Sequence, residues 1–188
     1  IASVPWSGLA TVEASLAAAP YGWPHVEGRA RVAGFRFLDV DLGSAAADVR
    51  FQKPILSLSA VGGPQASVRY RGEVALDMVA RPIRLGASSF RARGRVRDLC
   101  EAFLDRLPRA RVLRDALDAE AEVSGTAQGP ARAPDIDFEA QLGPGTVLDR
   151  RFDSGKVSGR IRALAEARFA QGELHRGAGV LRGSGTWG

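Results

Sequence analysis

Cysteine is almost missing from this sequence. Cys100 stands alone among 188 residues, so no internal disulfide can form and a disulfide-stapled scaffold is excluded. A single thiol in an apolar stretch reads as a small buried hydrophobe. Histidine is nearly as scarce: only His25 and His175 occur. A nucleophile with its base, or a histidine metal site, needs partners within bonding reach. Two isolated histidines and one cysteine offer no such set, so neither metal nor cofactor is expected and the chain reads as non-enzymatic. Lysine is limited to Lys53 and Lys156 among 26 basic residues. The net charge of +5 is therefore carried by arginine, in an arginine- and alanine-rich composition typical of GC-rich coding sequence. Aromatic residues make up 7%. No stretch approaches the roughly 20 apolar residues of a membrane-spanning helix, and no basic-then-apolar leader is visible.

What the chain does have is an internal echo. Residues 23–51 lie on residues 133–161 without a gap, at a constant offset of 110. Pro24 falls on Pro134, Ala30 on Ala140, Leu38-Asp39 on Leu148-Asp149, Ser44 on Ser154 and Arg50 on Arg160. Apolar character is kept at Val26 and Ile136, Val32 and Leu142, Leu42 and Phe152, Phe51 and Ile161. A spaced match with its phase preserved points to one β unit used more than once.

The dominant period is two, the signature of strands with one wet and one apolar face. Val26, Gly28, Ala30 and Val32 alternate with Glu27, Arg29 and Arg31. Leu38, Val40 and Leu42 alternate with Asp39 and Asp41; Leu56 and Leu58 alternate with Ser57 and Ser59. Val68 and Tyr70 alternate with Arg69 and Arg71, and Val74, Leu76 and Met78 with Glu73 and Asp77. Phe90, Ala92, Gly94 and Val96 alternate with Arg91, Arg93, Arg95 and Arg97. Ile136, Phe138, Ala140 and Leu142 do so with Asp135, Asp137, Glu139 and Gln141. Turn signals such as Gly62-Gly63-Pro64 and Gly143-Pro144-Gly145 separate the runs. Many short strands with regular turns give a mainly all-β architecture. One interval differs. Near residues 98–117 the apolar positions adopt helical spacing, from Leu99 through Phe103, Leu104 and Leu107 to Val112, Leu113 and Leu117. Asp98 caps the start, Pro108 splits the run into two short helices, and residues 115–122 extend the second.

Several patterns look chemical and have plainer explanations. Asp39 with Asp41, and Asp135 with Asp137, put two carboxylates on one strand face, as a solvated face also would. Gly183-Ser184-Gly185-Thr186-Trp187-Gly188 matches G-x-G-x-x-G, but a dinucleotide site requires that motif between a first strand and a helix. Arg91, Arg93, Arg95 and Arg97 form a ladder on one face. Arginine forks suit phosphate, including lipid headgroups. Aromatic side chains for base stacking are missing from that face, because Phe90 points to the other, so no nucleic-acid partner is expected.

The opposite face is the more informative one. Its positions are almost all Leu, Val, Ile, Ala, Phe or Gly. In a closed sandwich such a face is core. In an open, curved sheet it is a continuous apolar trough, and a lining of small residues leaves room for acyl chains.

The phrase Ser7-Gly8-Leu9-Ala10-Thr11-Val12, followed by Tyr21-Gly22-Trp23-Pro24-His25-Val26-Glu27-Gly28, resembles the repeating lines of TamB-like and AsmA-like envelope proteins. The pattern returns in Val123-Ser124-Gly125-Thr126 and in Ala133-Pro134-Asp135-Ile136-Asp137-Phe138, and residues 56–78 look similar. The resemblance implies an elongated, curved β-groove (a β-taco) in the periplasm of a Gram-negative envelope. It would be anchored to the inner membrane through sequence beyond this segment, since Ile1 and Gly188 fall in mid-pattern. It implies phospholipid and an outer-membrane barrel assembly partner as ligand and partner, and no catalytic residue. The groove would be lined by Val26, Val32, Leu38, Val40, Leu42, Leu56, Leu58, Val68, Val74, Leu76, Met78, Phe90, Ile136, Phe138 and Leu142. Arg91, Arg93, Arg95 and Arg97 would contact anionic headgroups. On this reading, residues 1–97 form a first groove region, 98–120 a helical insert and 121–188 a second groove region. The competing expectation is a structural β-solenoid or sandwich, used as a spacer or adhesin, with a closed core.

Overall fold

The computed structural model describes residues 6–17, 24–37, 40–41, 43–52, 55–62, 69–77, 79–80, 82–99, 115–163 and 165–187, with the backbone alone at 6–7, 35–37, 40–41, 55–62 and 187. These residues form one curved, all-antiparallel sheet. The strands are β1 (Trp6–Ala17), β2 (His25–Phe37), β3 (Val40–Asp41), β4 (Ala45–Gln52), β5 (Ile55–Gly62), β6 (Arg69–Asp77), β7 (Arg84–Arg95), β8 (Leu117–Pro130), β9 (Asp135–Val147), β10 (Arg150–Phe152), β11 (Ser154–Arg162), β12 (Glu166–Arg176) and β13 (Gly179–Trp187). Their spatial order follows the chain: β1-β2-β4-β5-β6-β7-β8-β9-β11-β12-β13, with β3 on β2 and β10 on β9. Each strand pairs with the next through a local connection, as expected where period-two runs are punctuated by turn residues. Strands β1 and β13 are the two open edges.

The echo seen in the sequence is an echo of register. Val26, Gly28, Ala30 and Val32 of β2 pair with Phe51, Val49, Ala47 and Ala45 of β4. Ile136, Phe138, Ala140 and Leu142 of β9 pair with Ile161, Gly159, Val157 and Gly155 of β11. Each pair of the second set is the first moved by 110. The short strands repeat as well: Arg36 pairs Asp41 and Phe37 pairs Val40, while Thr146 pairs Arg151 and Val147 pairs Arg150. A register slip also lies near the same place in each copy, between Ser7 and Leu9 on β1 and between Ala119 and Ala121 on β8, two positions out of step with the offset. Between β9 and β10 the chain turns at Leu148 and Asp149, both with positive φ (46° and 62°). That is the backbone of a two-residue turn whose twist matches the flanking strands. Their counterparts Leu38 and Asp39 lie outside the described residues.

Six of the strand pairs carry register shifts. An extra residue on one strand bends it and increases the local twist, so these bulges supply curvature. At the β6/β7 shift, Ala75 N–H donates to the buried Ser88 Oγ at 3.2 Å, replacing the interrupted ladder bond. Leu76 beside it has no exposed surface.

The described ends of the helical interval are helical as its spacing predicts, but the extension to residues 117–122 is not. Residues 96–99 and 115–116 are helical, and β8 has already begun at Leu117. Leu117, Ala119 and Ala121 are buried while Asp118, Glu120 and Glu122 are exposed. The period-two burial of this run, paired along β9, overrides its helical propensity. Cys100 and Pro108 lie outside the described residues. The main apolar cluster gathers Val96 and Leu99 with Ala92, Leu117, Ala119, Ala121, Leu142 and Phe152, and Tyr70, Val123, Val147, Val157 and Leu174 pack against it. Tyr70 on β6 and Leu174 on β12 thus approach one cluster from well-separated strands, which requires the sheet to curl around it.

Candidate functional site

Residues directly opposite one another across a ladder share a face, so the registers define rows across the whole sheet. One row runs Val12, Ala30, Ala47, Ala60, Gly72, Phe90, Gly125, Phe138, Gly159, Phe169, Gly185. It crosses eleven strands without a polar residue. From β6 to β13 it alternates glycine with phenylalanine. The packing explains why. A Cβ on Gly125 would lie 2.8 Å from Phe90 Cζ, and one on Gly159 would lie 3.0 Å from Phe138 Cζ. The tips of the Phe90 and Phe138 rings therefore lie over the glycine of the next strand, whereas a Cβ on Gly185 would have nothing within 4 Å and Phe169 does not cover it. Phe138 and Phe169 meet edge to face, with ring centroids 6.0 Å apart at 81°, a favoured aromatic geometry. The result is a row in which Phe90 and Phe138 cover glycines and the Phe169 ring stands nearly perpendicular to that of Phe138.

Two other features complete this face. At one end it is closed by the cluster of Val96, Leu99, Leu117, Leu142 and Phe152. Toward the sheet edges it is open: Val12, Leu16 and Leu181 share the apolar face by register and are 55%, 70% and 64% exposed. Among the described residues, close backbone contacts join sheet neighbours, along with β10 against β12, and no second layer lies over the face.

The reverse face is charged and largely paired. Arg50 meets Glu27 at 3.0 Å, and Arg160 meets Asp137 through two donors, Nε and Nη2, the latter at 2.9 Å. These two pairs are equivalent under the 110-residue offset. Lys156 reaches Glu139 at 3.5 Å and Arg182 reaches Glu173 at 2.8 Å. Asp137 raises the pKa of Arg160 through its hydrogen bond and its charge, and hydrogen bonds from Arg182 and Gln171 lower that of Glu173. Asp135 accepts the Ala163 N–H at 3.2 Å. The carboxylate pair Asp135/Asp137 is thus engaged in structural bonds. Among the described residues no group of three His, Cys, Asp or Glu side chains converges. A shallow depression of about 710 Å³ touches Glu27, Arg29, Asp48, Arg50 and Glu73, where Glu27 and Asp48 already hold arginines.

Of the residues expected to line a groove, Val26, Val32, Val74, Phe90, Ile136 and Phe138 are half-buried on the apolar face, and Leu76 and Leu142 are buried. Leu38, Leu42, Val68 and Met78 lie outside the described residues, as do the side chains of Val40, Leu56 and Leu58. The arginine ladder needs a correction. Arg91, Arg93 and Arg95 leave the polar face of β7, but β7 ends at Arg95 and Arg97 belongs to helical residues 96–99. Once the chain coils, period-two alternation no longer determines direction. The sequence reading passed over Val12, Val49, Phe169 and the interleaved glycines. The period-two run Val157, Gly159, Ile161 was the available signal for the last.

No family model, no curated protein and no solved structure matches this chain.

Proposed function

We propose that this segment is a non-enzymatic lipid-sheltering module. Its apolar face holds phospholipid acyl chains as part of a groove that conducts lipid between the two membranes of a Gram-negative envelope or assists outer-membrane protein assembly. The single observation that carries the reading is the unbroken apolar row across eleven strands, uncovered by any described element. An apolar surface of that extent calls for an occupant. Each methylene buried against it contributes about 0.8 kcal/mol, so affinity accumulates along an acyl chain without polar specificity. Gly185 leaves open space at the β13 end of the row. The resemblance to TamB-like and AsmA-like proteins points the same way, toward a periplasmic setting, an inner-membrane anchor outside this segment and an outer-membrane barrel partner.

The second reading, a structural spacer with a closed core, draws on the well-packed cluster around Leu99 and Phe152. The two are separated by placing a photo-crosslinking phenylalanine analogue at Val12 or Leu181, both exposed on the apolar face, and at Thr11 or Arg182 on the polar face. Protein purified without harsh detergent is irradiated, and adducts are read by mass spectrometry. Phospholipid adducts at Val12 and Leu181 alone support the lipid groove. Lipid-free protein with no adduct at either position overturns it.

A further inference from the structure

On the polar face two like-charged pairs are adjacent at one seam. Between β6 and β7, Arg69 stands directly opposite Arg93 and Arg71 opposite Arg91. All four are exposed. Like charges directly opposite on a ladder repel and cost stability. Arg91 reaches Glu122 at 3.2 Å. Among the described residues no acid ion-pairs with Arg69, Arg71 or Arg93; Glu122 stands opposite Arg93 across β7/β8 but its ion pair is with Arg91. Arg160 also faces a like charge, Arg168, across β11/β12, but there Asp137 holds Arg160 with two hydrogen bonds. Two adjacent like pairs, with three of the four guanidinium groups in no ion pair among the described residues, concentrate positive charge at this seam. A local violation of this kind marks a functional position.

We infer that the Arg69, Arg71, Arg91 and Arg93 quartet is a binding site for phosphate groups, specifically those of anionic phospholipid headgroups at a membrane surface. The site lies on the face opposite the apolar row and stands independently of what that row carries. Its geometry suits the ligand. Paired guanidinium groups start from Cβ atoms about 5 Å apart, so one phosphate can accept from two forks at once. Nucleic acid is the less fitting phosphate source. Val61, Ser89, Ser124 and Glu122 occupy the register positions around the quartet, with no aromatic residue for base stacking. The eleven-strand face is also far broader than a major groove of about 12 Å. Arg69 and Arg71 complete the site. The alternation that revealed the β7 ladder could not reveal them as its partners, because the pairing of β6 with β7 is a tertiary fact.

The test is sedimentation of the whole chain with vesicles of phosphatidylcholine alone and of phosphatidylcholine with phosphatidylglycerol. R69Q/R71Q removes two guanidinium groups that have no acid partner. R31Q/R168Q removes equal charge elsewhere on the same face. The expected result is binding that requires phosphatidylglycerol and weakens about 30-fold in R69Q/R71Q, given the usual contribution of a basic residue near an anionic surface, with the control pair far less affected. R69Q/R71Q should also melt higher than wild type, because repulsion is relieved, and this readout verifies that it folds. Equal losses in the two double variants would reduce the effect to net charge and overturn the site. Binding to inorganic phosphate but not to vesicles would overturn the headgroup source, and binding to single-stranded DNA but not to vesicles would overturn the lipid. Vesicle binding is read separately from acyl-chain crosslinking, so failure here leaves the groove proposal standing, and the converse holds.

Discussion

Replacing Gly125 with alanine should destabilise the sheet out of proportion to one methyl group, and replacing Phe90 as well should return part of the loss. A Cβ at position 125 would contact the Asp137 carbonyl oxygen and stand 2.8 and 2.9 Å from Phe90 Cζ and Cε1. Neither neighbour yields freely: the carbonyl belongs to the β9 ladder, and the ring is held over the strand. Overpacking of this sort costs about 1–3 kcal/mol. For a chain of this size each kcal/mol corresponds to about 2–4 °C in melting temperature. G125A should therefore melt roughly 2–12 °C below wild type. F90A alone leaves a gap over Gly125. Because Phe90 is only half-buried, its cost should fall below the 3–5 kcal/mol of a fully buried ring. In the double variant the added methyl meets only the carbonyl, so the two costs should sum to more than the observed loss by about 1 kcal/mol. Thermal melts followed by circular dichroism on the four proteins measure this coupling. Additive losses within about 0.3 kcal/mol would show that the ring does not lie over the glycine, and the account of the Phe90/Gly125 packing would fail with it.

Leu76→Ala should cost about 2–5 kcal/mol, as deletion of a fully buried leucine does, and Leu76→Glu should abolish folding by burying a charge; a soluble, wild-type-like melt for L76E would refute the buried placement. Burial pushes the Tyr70 hydroxyl up from 10.0 to about 12, so one of the two tyrosines should ionise late in a titration followed by tyrosinate absorbance, and Tyr70→Phe should remove that step. The folded chain then keeps a proton that the unfolded chain has lost, so this contribution is complete below pH 10 and declines as pH rises toward 12. The Glu173 carboxylate, held by Arg182 and Gln171, should titrate below an ordinary glutamate by NMR. Its contribution is present above the unfolded pKa and lost as pH falls through the lowered one, and Arg182→Gln should shift the titration back upward.

The sequence by itself determined the strands and their faces. Period-two alternation is a one-dimensional consequence of the pleat, so Val26 to Val32 and Ile136 to Leu142 could be assigned to an apolar face before any neighbour was known. The offset of 110 was equally legible, because a repeated register demands repeated side chains. Residues 117–122 were misread, since their helical spacing and their alternation are both present in the chain and only pairing along β9 selects between them. Arg97 was misplaced for the related reason that alternation does not announce where a strand ends. The tertiary structure alone decided which strands are adjacent, and with that the two features that matter most for function. Phe90 lies over Gly125, and Phe138 over Gly159, only because β7, β8, β9 and β11 are sheet neighbours in one register. Arg69 faces Arg93 only because β6 pairs with β7. Both depend on the distance between residues far apart in the chain, which hydrogen-bond register sets and local sequence does not encode.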